Sequence, residues 1–345
     1  MIGVMIIPTG LGAKIGGDAG DASPAAKLLA RCCDTLIVHP NVVNASDINE
    51  MTENMLYVEG SILDRFLAGQ ITLQKTNTYN RILTIANPSV TEETVNAVSA
   101  ARVTVGAQIE ILELSNPLRM VAKIEKHKAA GDIYGFESLR KDLNRYGLKN
   151  FDALAIHTPI EVDRNMALNY YRNGGINPWG GVEALLSKQV ANFLDKPTAH
   201  APLESVTEDD EELFLIFRER ITPRIAPEAI SNCYLHCVFK GLHRAPKLAS
   251  SVASGQVLAA RDIDFMVSPE GCWGPPHDCC MAASIPIIFV KENVVTAPLS
   301  VSYNYGISVD NYLEAAGHIM TMQAGVVPES VRANFSETIL STSKV

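Results

Sequence analysis

Apolar residues in this chain fall into short runs, each closed by a glycine or proline turn and followed by residues at helical spacing. Ile2 to Ile7 is the first such run; a glycine loop and a helix over Pro24 to Cys33 follow it. Thr35 to Val38 is a second run, and Met55 to Leu67 carries helical spacing. The pattern is cleanest from Arg81 to Leu114, where RILTIA predicts a strand, the next stretch a helix, and Ile109 to Leu114 a second strand. Thr91 suits the N-cap of that helix, Glu92 and Glu93 its first turn, and Gly106 its end. Farther on, Ala153 to Ile156 reads as a strand and Gly181 to Phe193 as a helix. Ala229 to Leu242 is a further helix, Ile263 to Val267 and Ile285 to Val290 are strands, and Val309 to Gln323 is a final helix.

Strands that alternate with helices predict an α/β protein of mostly parallel sheets flanked by helices, Rossmann-like, with two lobes and a cleft between them. A composition shift over Gly131 to Phe151 divides the lobes into 1–130 and 150–325, with a loose tail over 326–345. Glu204 to Glu212 is acidic and reads as a surface excursion. No repeat of solenoid length is present.

Composition narrows the function. With 47% hydrophobic and 19% charged residues, the chain has apolar material for a continuous core. A net charge of −9 without a Lys/Arg-rich run argues against nucleic acid, whose phosphates need a basic surface. The apolar N-terminus lacks a basic n-region, and no apolar run is long enough to span a bilayer. Seven scattered cysteines and no export signal predict reduced thiols, hence a soluble cytoplasmic chain without membrane partners.

Four segments could carry chemistry. IIPTGLGAKIGGDAGDA follows a strand and precedes a helix, a place where glycines let the backbone approach a ligand and helix amides attract anions. Gly10, Gly12 and Gly16 miss the dinucleotide fingerprint by one residue, and the Gly-Lys-Ser/Thr of a P-loop is absent. A wide structural turn is the alternative to a ligand loop holding Gly10, Gly12, Gly16, Gly17, Asp18 and Asp21. HPNVVNASDINEM offers Asn41, Asn44 and Asp47 at the expected carboxyl end of the sheet, with a plain polar turn as the competing reading. Glu59 follows within an apolar surround, which would raise its pKa.

The third segment joins GGINPWGGVEALLSK to PTAHAPL and offers Glu183 and His200 for acid–base work; a structural role for His200 is the alternative. The fourth, SPEGCWGPPHDCC, sets Cys272 on a glycine-bounded turn beside a helix start, a location that lowers a thiol pKa. Glu270 and His277 are near it in sequence. Cys272, His277, Cys279 and Cys280 are dense in zinc ligands, but one cluster with adjacent cysteines lacks paired C-x-x-C spacing, so no metal is expected. Cys233 and Cys237, four apart on a helix, read as core residues.

In this order the four segments resemble DUF3326, a bacterial, cyanobacterial and plastid family without an established reaction, over about residues 1 to 325. The Gly-Pro-Pro-His after Cys272 departs from that family's simpler turn. A second resemblance is to the archaeal-type ornithine cyclodeaminase domain, through Asn44, Asp47, Ile48, Glu183 and Ala184. It implies NAD on a deoxyhypusine-synthase-like Rossmann variant that also lacks the usual fingerprint.

The leading expectation is a small-molecule enzyme, NAD-linked, acting on an amino or hydroxy acid by deamination, cyclisation or epimerisation. Cys272, Glu183, His200 and Glu59 would then be catalytic, with the glycine loop and Asn41, Asn44 and Asp47 on the cofactor. A cofactor-independent racemase, lyase or amidohydrolase built on Cys272 is the second reading, and a non-catalytic metabolite-binding protein the third. A homo-oligomer is the default for either enzyme.

Overall fold

A computed structural model describes residues 1–17, 21–43, 51–75, 78–202, 220–227, 234–249, 256–296, 298 and 305–341. The chain opens with β1 (Ile2–Met5), α1 (Ser23–Ala30), β2 (Thr35–Val38), α2 (Pro40–Val43), β3 (Met55–Tyr57), α3 (Gly60–Leu67) and β4 (Thr72–Lys75). The middle holds β5 (Arg81–Ala86), α4 (Glu92–Thr104), β6 (Gln108–Glu113), β7 (Arg119–Glu125), β8 (Lys128–Tyr134), α5 (Phe136–Tyr146) and β9 (Ala153–His157). Then come β10 (Ile160–Glu161), α6 (Arg164–Asn173), α7 (Gly180–Leu194), β11 (Thr198–His200) and α8 (Tyr234–Arg244). The last elements are β12 (Lys247–Ala249), β13 (Gln256–Leu258), β14 (Phe265–Pro269), α9 (Pro275–Ala282), β15 (Ile287–Val290), β16 (Ile307–Val309) and α10 (Tyr312–Ala324).

Two parallel sheets organise the fold. The larger runs β16-β15-β14-β1-β2-β3, and the smaller runs β11-β9-β5-β6. Their central strands, TLIV, ALAIH and IIFV, are buried on both faces, which explains their unbroken apolar runs. This is the Rossmann-like α/β architecture that the alternation predicts. Segments 1–130 and 150–325 each contribute strands to both sheets. β1–β3 join β14–β16 in one, while β5, β6, β9 and β11 form the other. α7 packs on α3 and β8, and α8 on β9, β5 and β3, so these two helices tie the sheets together.

The order of strands reverses beside β1 in the larger sheet and beside β5 in the smaller. Open α/β sheets bind ligands outside the carboxyl ends of strands at such a reversal. The loops after β1 and β14 lie at one switch point, and those after β5 and β9 at the other.

Three local features depart from the sequence pattern. Met55 to Leu67 is a strand followed by a helix, because the Glu59 side chain accepts from the amides of Ser61 and Ile62 and starts α3 there. The second strand of the β7–β8 hairpin runs into the expected lobe boundary, and α5 lies within it. The hairpin turns on Lys126 and His127, at φ 48° and 62°, without the glycine or asparagine that normally announces such a turn.

Candidate functional site

Glu183 stands in the first turn of α7, and the glycines before it set where that turn lies. A Cβ on Gly181 would come within 2.3–2.4 Å of main-chain atoms of Ala129 and Ala130. One on Gly180 would meet the Thr9 methyl at 2.9 Å. The helix therefore starts flush against β8 and the loop after β1, with Glu183 26% exposed at its side chain.

His200 ends β11 with its side chain only 1% exposed. Its Nδ1 lies 3.1 Å from Glu183 Oε1. Its Nε2 lies 3.2 Å from the Thr158 hydroxyl and 3.2 Å from the Thr158 carbonyl oxygen. Thr158 is fully buried just after β9, beside the switch point of the smaller sheet. A neutral His200 can donate from Nδ1 to Glu183 and accept the Thr158 hydroxyl proton at Nε2. A protonated His200 keeps the first bond and donates from Nε2 to the Thr158 carbonyl. Either charge state is hydrogen-bonded without a change of rotamer, which is what a proton-transferring imidazole requires.

The surround is drier. His157, one residue before Thr158, has Nδ1 3.0 Å from the Ala201 carbonyl, and burial holds its pKa below the ordinary value. His39, after β2, lies over Gly60, where a Cβ would stand 2.8 Å from Nε2. Burial pushes the His39 imidazole down to about 4, and its Nδ1 has no hydrogen-bond partner among the described residues. Tyr57 is 2% exposed, and burial together with Cys237, Glu59 and Glu183 holds its phenol well above the ordinary range.

Glu59 is placed differently. Its Oε2 accepts from Ser61 N at 2.9 Å, Ser61 Oγ at 2.5 Å and Ile62 N at 3.1 Å. Burial raises its pKa, as its apolar surround predicts, against the lowering effect of those three donors. It is a capping carboxylate outside hydrogen-bond reach of the dyad.

Several polar groups of the glycine loop are bonded to the protein itself. Gly10, Gly12 and Gly16 take φ of +74°, +64° and +81°, and a Cβ on Gly17 would lie 2.0 Å from the Ala13 carbonyl oxygen. Lys14 N donates to Val294 O at 3.0 Å and Ile15 N to Asn293 Oδ1 at 2.9 Å. Asp21 accepts from Gly16 N and pairs with Arg224 at 2.7 Å. Its carboxyl is raised by burial, against the lowering effect of Arg224 and the Gly16 amide. Asn41 reaches the Pro8 carbonyl at 3.5 Å. Asp18, Asn44 and Asp47 lie outside the described residues, as does Cys233.

Cys272 corrects an expectation. The helix after it begins only at Pro275, and the thiol donates to the Pro269 carbonyl at 3.1 Å. Burial pushes it up to about 12, so the low pKa expected from a helix start is not realised. His277 accepts from Gly274 N at Nδ1 and meets Ser268 Oγ at 2.9 Å through Nε2, stacked on Trp273. Glu270 accepts from Ser308 at 3.0 Å. Among the described residues no group of three or more His, Cys, Asp or Glu could hold a metal. Mild alkylation of native protein at pH about 8 is expected to modify the half-buried Cys279 well before Cys272. Peptide mass mapping checks this, and first labelling at Cys272 would reverse the assignment.

Of the sequence candidates, then, Glu183 and His200 meet. Thr158 and His157 were not picked out by sequence, although His157 ends the buried strand ALAIH and Thr158 follows it, at the end where ligands bind.

A family model described as a protein of unknown function (DUF3326) matches residues 2–332. The chain belongs to that family. An uncharacterized lipoprotein of Synechococcus sp. (strain ATCC 27144 / PCC 6301 / SAUG 1402/1) is 32% identical over 341 residues, covering 95% of this DUF3326 chain and 92% of the relative. No solved structure matches. The relative's name overturns the expected cytoplasmic location. A lipid anchor acts through a modified residue outside the packed fold, so cysteine usage and core composition carry no information about it. Among the described residues of this DUF3326 protein no helix is long and apolar enough to cross a membrane.

Proposed function

We propose that this protein is an enzyme that moves protons on a small polar molecule, with Glu183 and His200 as the acid–base pair. The observation that carries this reading is the double partnering of His200 Nε2 by Thr158, combined with a Glu183 side chain that links the buried ring to solvent. In this reading Glu183 exchanges protons with substrate or water, His200 stores the proton, and Thr158 orients the ring.

NAD is left out of the proposal. The amides of Lys14, Ile15 and Gly16 in the glycine loop are spent on Val294, Asn293 and Asp21 and so are not free to cradle a pyrophosphate. Chemistry at Cys272 is disfavoured by its protonated, carbonyl-bound thiol.

The test is solvent exchange. Pools of amino, hydroxy and keto acids are incubated with the protein in D₂O, and loss of C–H signals is followed by NMR. One component is expected to exchange, and Glu183→Gln or His200→Asn is expected to slow it about a hundredfold or more at unchanged melting temperature. Stoichiometric binding of a metabolite with no exchange or turnover in the wild type would make this a binding protein instead.

A further inference from the structure

Apolar side chains left at the surface gather at one end of this chain. Of the seventeen large apolar residues exposed among the described ones, eight lie between Leu313 and Leu340. Scattered exposed apolar residues are ordinary, whereas such a concentration marks a surface that something covers. Part of it is on α10, whose inner face packs on α1, β15 and β16. Leu313 (74% exposed), Gly317, Met320 and Ala324 follow at helical spacing on the outer face, and a Cβ on Gly317 would meet nothing within 4 Å. The rest is on the chain after the helix. α10 stops at Gly325 with φ 68°, and the Arg332 guanidinium then reaches back to Glu314 Oε1 at 2.5 Å. The arm 333–341, which belongs to no helix or strand, leaves from beside the first turn of α10 with Phe335, Ile339 and Leu340 (88%) exposed. It leaves the stripe of its own helix uncovered.

We propose that this surface pairs two copies of the chain, the outer stripes of α10 meeting across Gly317 and each arm lying on the other copy. At about 90 Å² each, the eight side chains expose about 700 Å². That is more than the ~300–600 Å² of the largest patch on a typical monomer, and close to the roughly 800 Å² per partner of a stable complex. Gly317 lets two helix backbones approach closely where they cross. A two-fold axis at that point presents the patch to itself, so one face serves both copies. A membrane fits the surface less well. Residues 311–341 hold one Arg and no Lys against three Glu, the wrong sign for an anionic lipid surface. The inference is independent of the acid–base reading, because α10 and the arm carry neither Glu183 nor His200.

The test is sedimentation velocity on the full chain. At about 50 µM, where a micromolar dimer is mostly formed, the expected species has twice the 37.4 kDa chain mass. Leu313→Glu places an acid in the first turn of α10, which the helix dipole favours, and Phe335→Glu alters an exposed arm residue, so both should melt as the wild type does. Each is expected to weaken dimerisation about tenfold or more, because two-fold symmetry puts every substitution in the interface twice. Val103, exposed on α4, is the control position, and Val103→Glu should leave the dimer intact. A monomeric wild type, a dimer undiminished by Leu313→Glu and Phe335→Glu, or equal loss with Val103→Glu would each overturn the proposal. Monomers that bind phosphatidylglycerol vesicles instead would also overturn it and assign the surface to lipid.

Discussion

Gly181→Ala is expected to destabilise the protein by about 3 kcal/mol, the upper end of what overpacking costs in a well-packed interior. The added methyl would lie 2.3 Å from the Ala129 carbonyl carbon and 2.4 Å from the Ala130 nitrogen. Those atoms belong to a strand paired with β7 along its whole length, so they cannot retreat as a flexible side chain would. The helix must lift instead, and it carries Glu183 with it. Thermal unfolding should fall by about 6 °C, taking about 2 °C per kcal/mol for a chain of this size. The Glu183–His200 contact should be lost as well, visible as altered imidazole resonances in folded protein below the transition. Unchanged stability would mean that α7 does not sit on β8 as described. By contrast, Gly69 and Gly106 have open space where a Cβ would go, and the strain there is only that of their positive φ.

Asp152→Ala is the second large effect, expected at about 2–3 kcal/mol, the cost of breaking a mostly buried pair discounted for the partial exposure of its cations. The carboxylate accepts from Arg81 N at 3.0 Å, Arg81 Nε at 2.9 Å and Lys247 Nζ at 3.3 Å, so its removal orphans the start of β5 and two cations together. Burial alone would raise the Asp152 pKa. The Arg81 guanidinium and amide and the Lys247 ammonium outweigh it and hold the carboxyl well below the usual carboxylate range. A depressed folded pKa gives stability that is full above the unfolded value, about 4, and is lost as pH falls through the folded one. The gap between wild type and variant in urea unfolding should therefore be constant from pH 7 to 5 and shrink below about 4. A gap independent of pH down to 2.5 would show that the carboxylate's charge contributes nothing.

Local chemistry explains which parts of this architecture could be read in advance. Around α4 every signal agreed. Thr91 Oγ1 accepts from Thr94 N at 3.2 Å, two glutamates sit in the first turn, and Gly106 takes φ +72° just past the end. Each of these is set by residues a turn apart. The pairing of β1 with β14 is set by nothing nearby, because Gly3 opposite Phe265 is a contact across the whole chain. A Cβ at Gly3 would come 2.2 Å from the Phe265 ring, so this glycine serves strand packing, not turning. The site divides the same way. Glu183 and His200 were legible as a helix-start acid and a strand-end histidine. The Thr158 carbonyl was not, since main-chain oxygens have no residue-type signature. Glycines near a strand end look alike whether they cradle a phosphate or, as Gly12 does, leave room for Thr296 and Gly175. Cys272 misled for a similar reason, because its burial is decided by segments distant in sequence.

The position of β1 at the middle of the larger sheet also governs the order in which the molecule can be made. β1 has one neighbour, β2, that leaves the ribosome soon after it, but the other, β14, follows more than two hundred residues later. At about 5–20 residues per second, that side of β1 stays open for roughly ten seconds or longer during synthesis. The smaller sheet, whose strands all lie between Arg81 and His200, can close while the larger one waits. Nascent chains stopped before Phe265 would thus carry a finished inner unit and an exposed apolar strand, the kind of surface that chaperones cover.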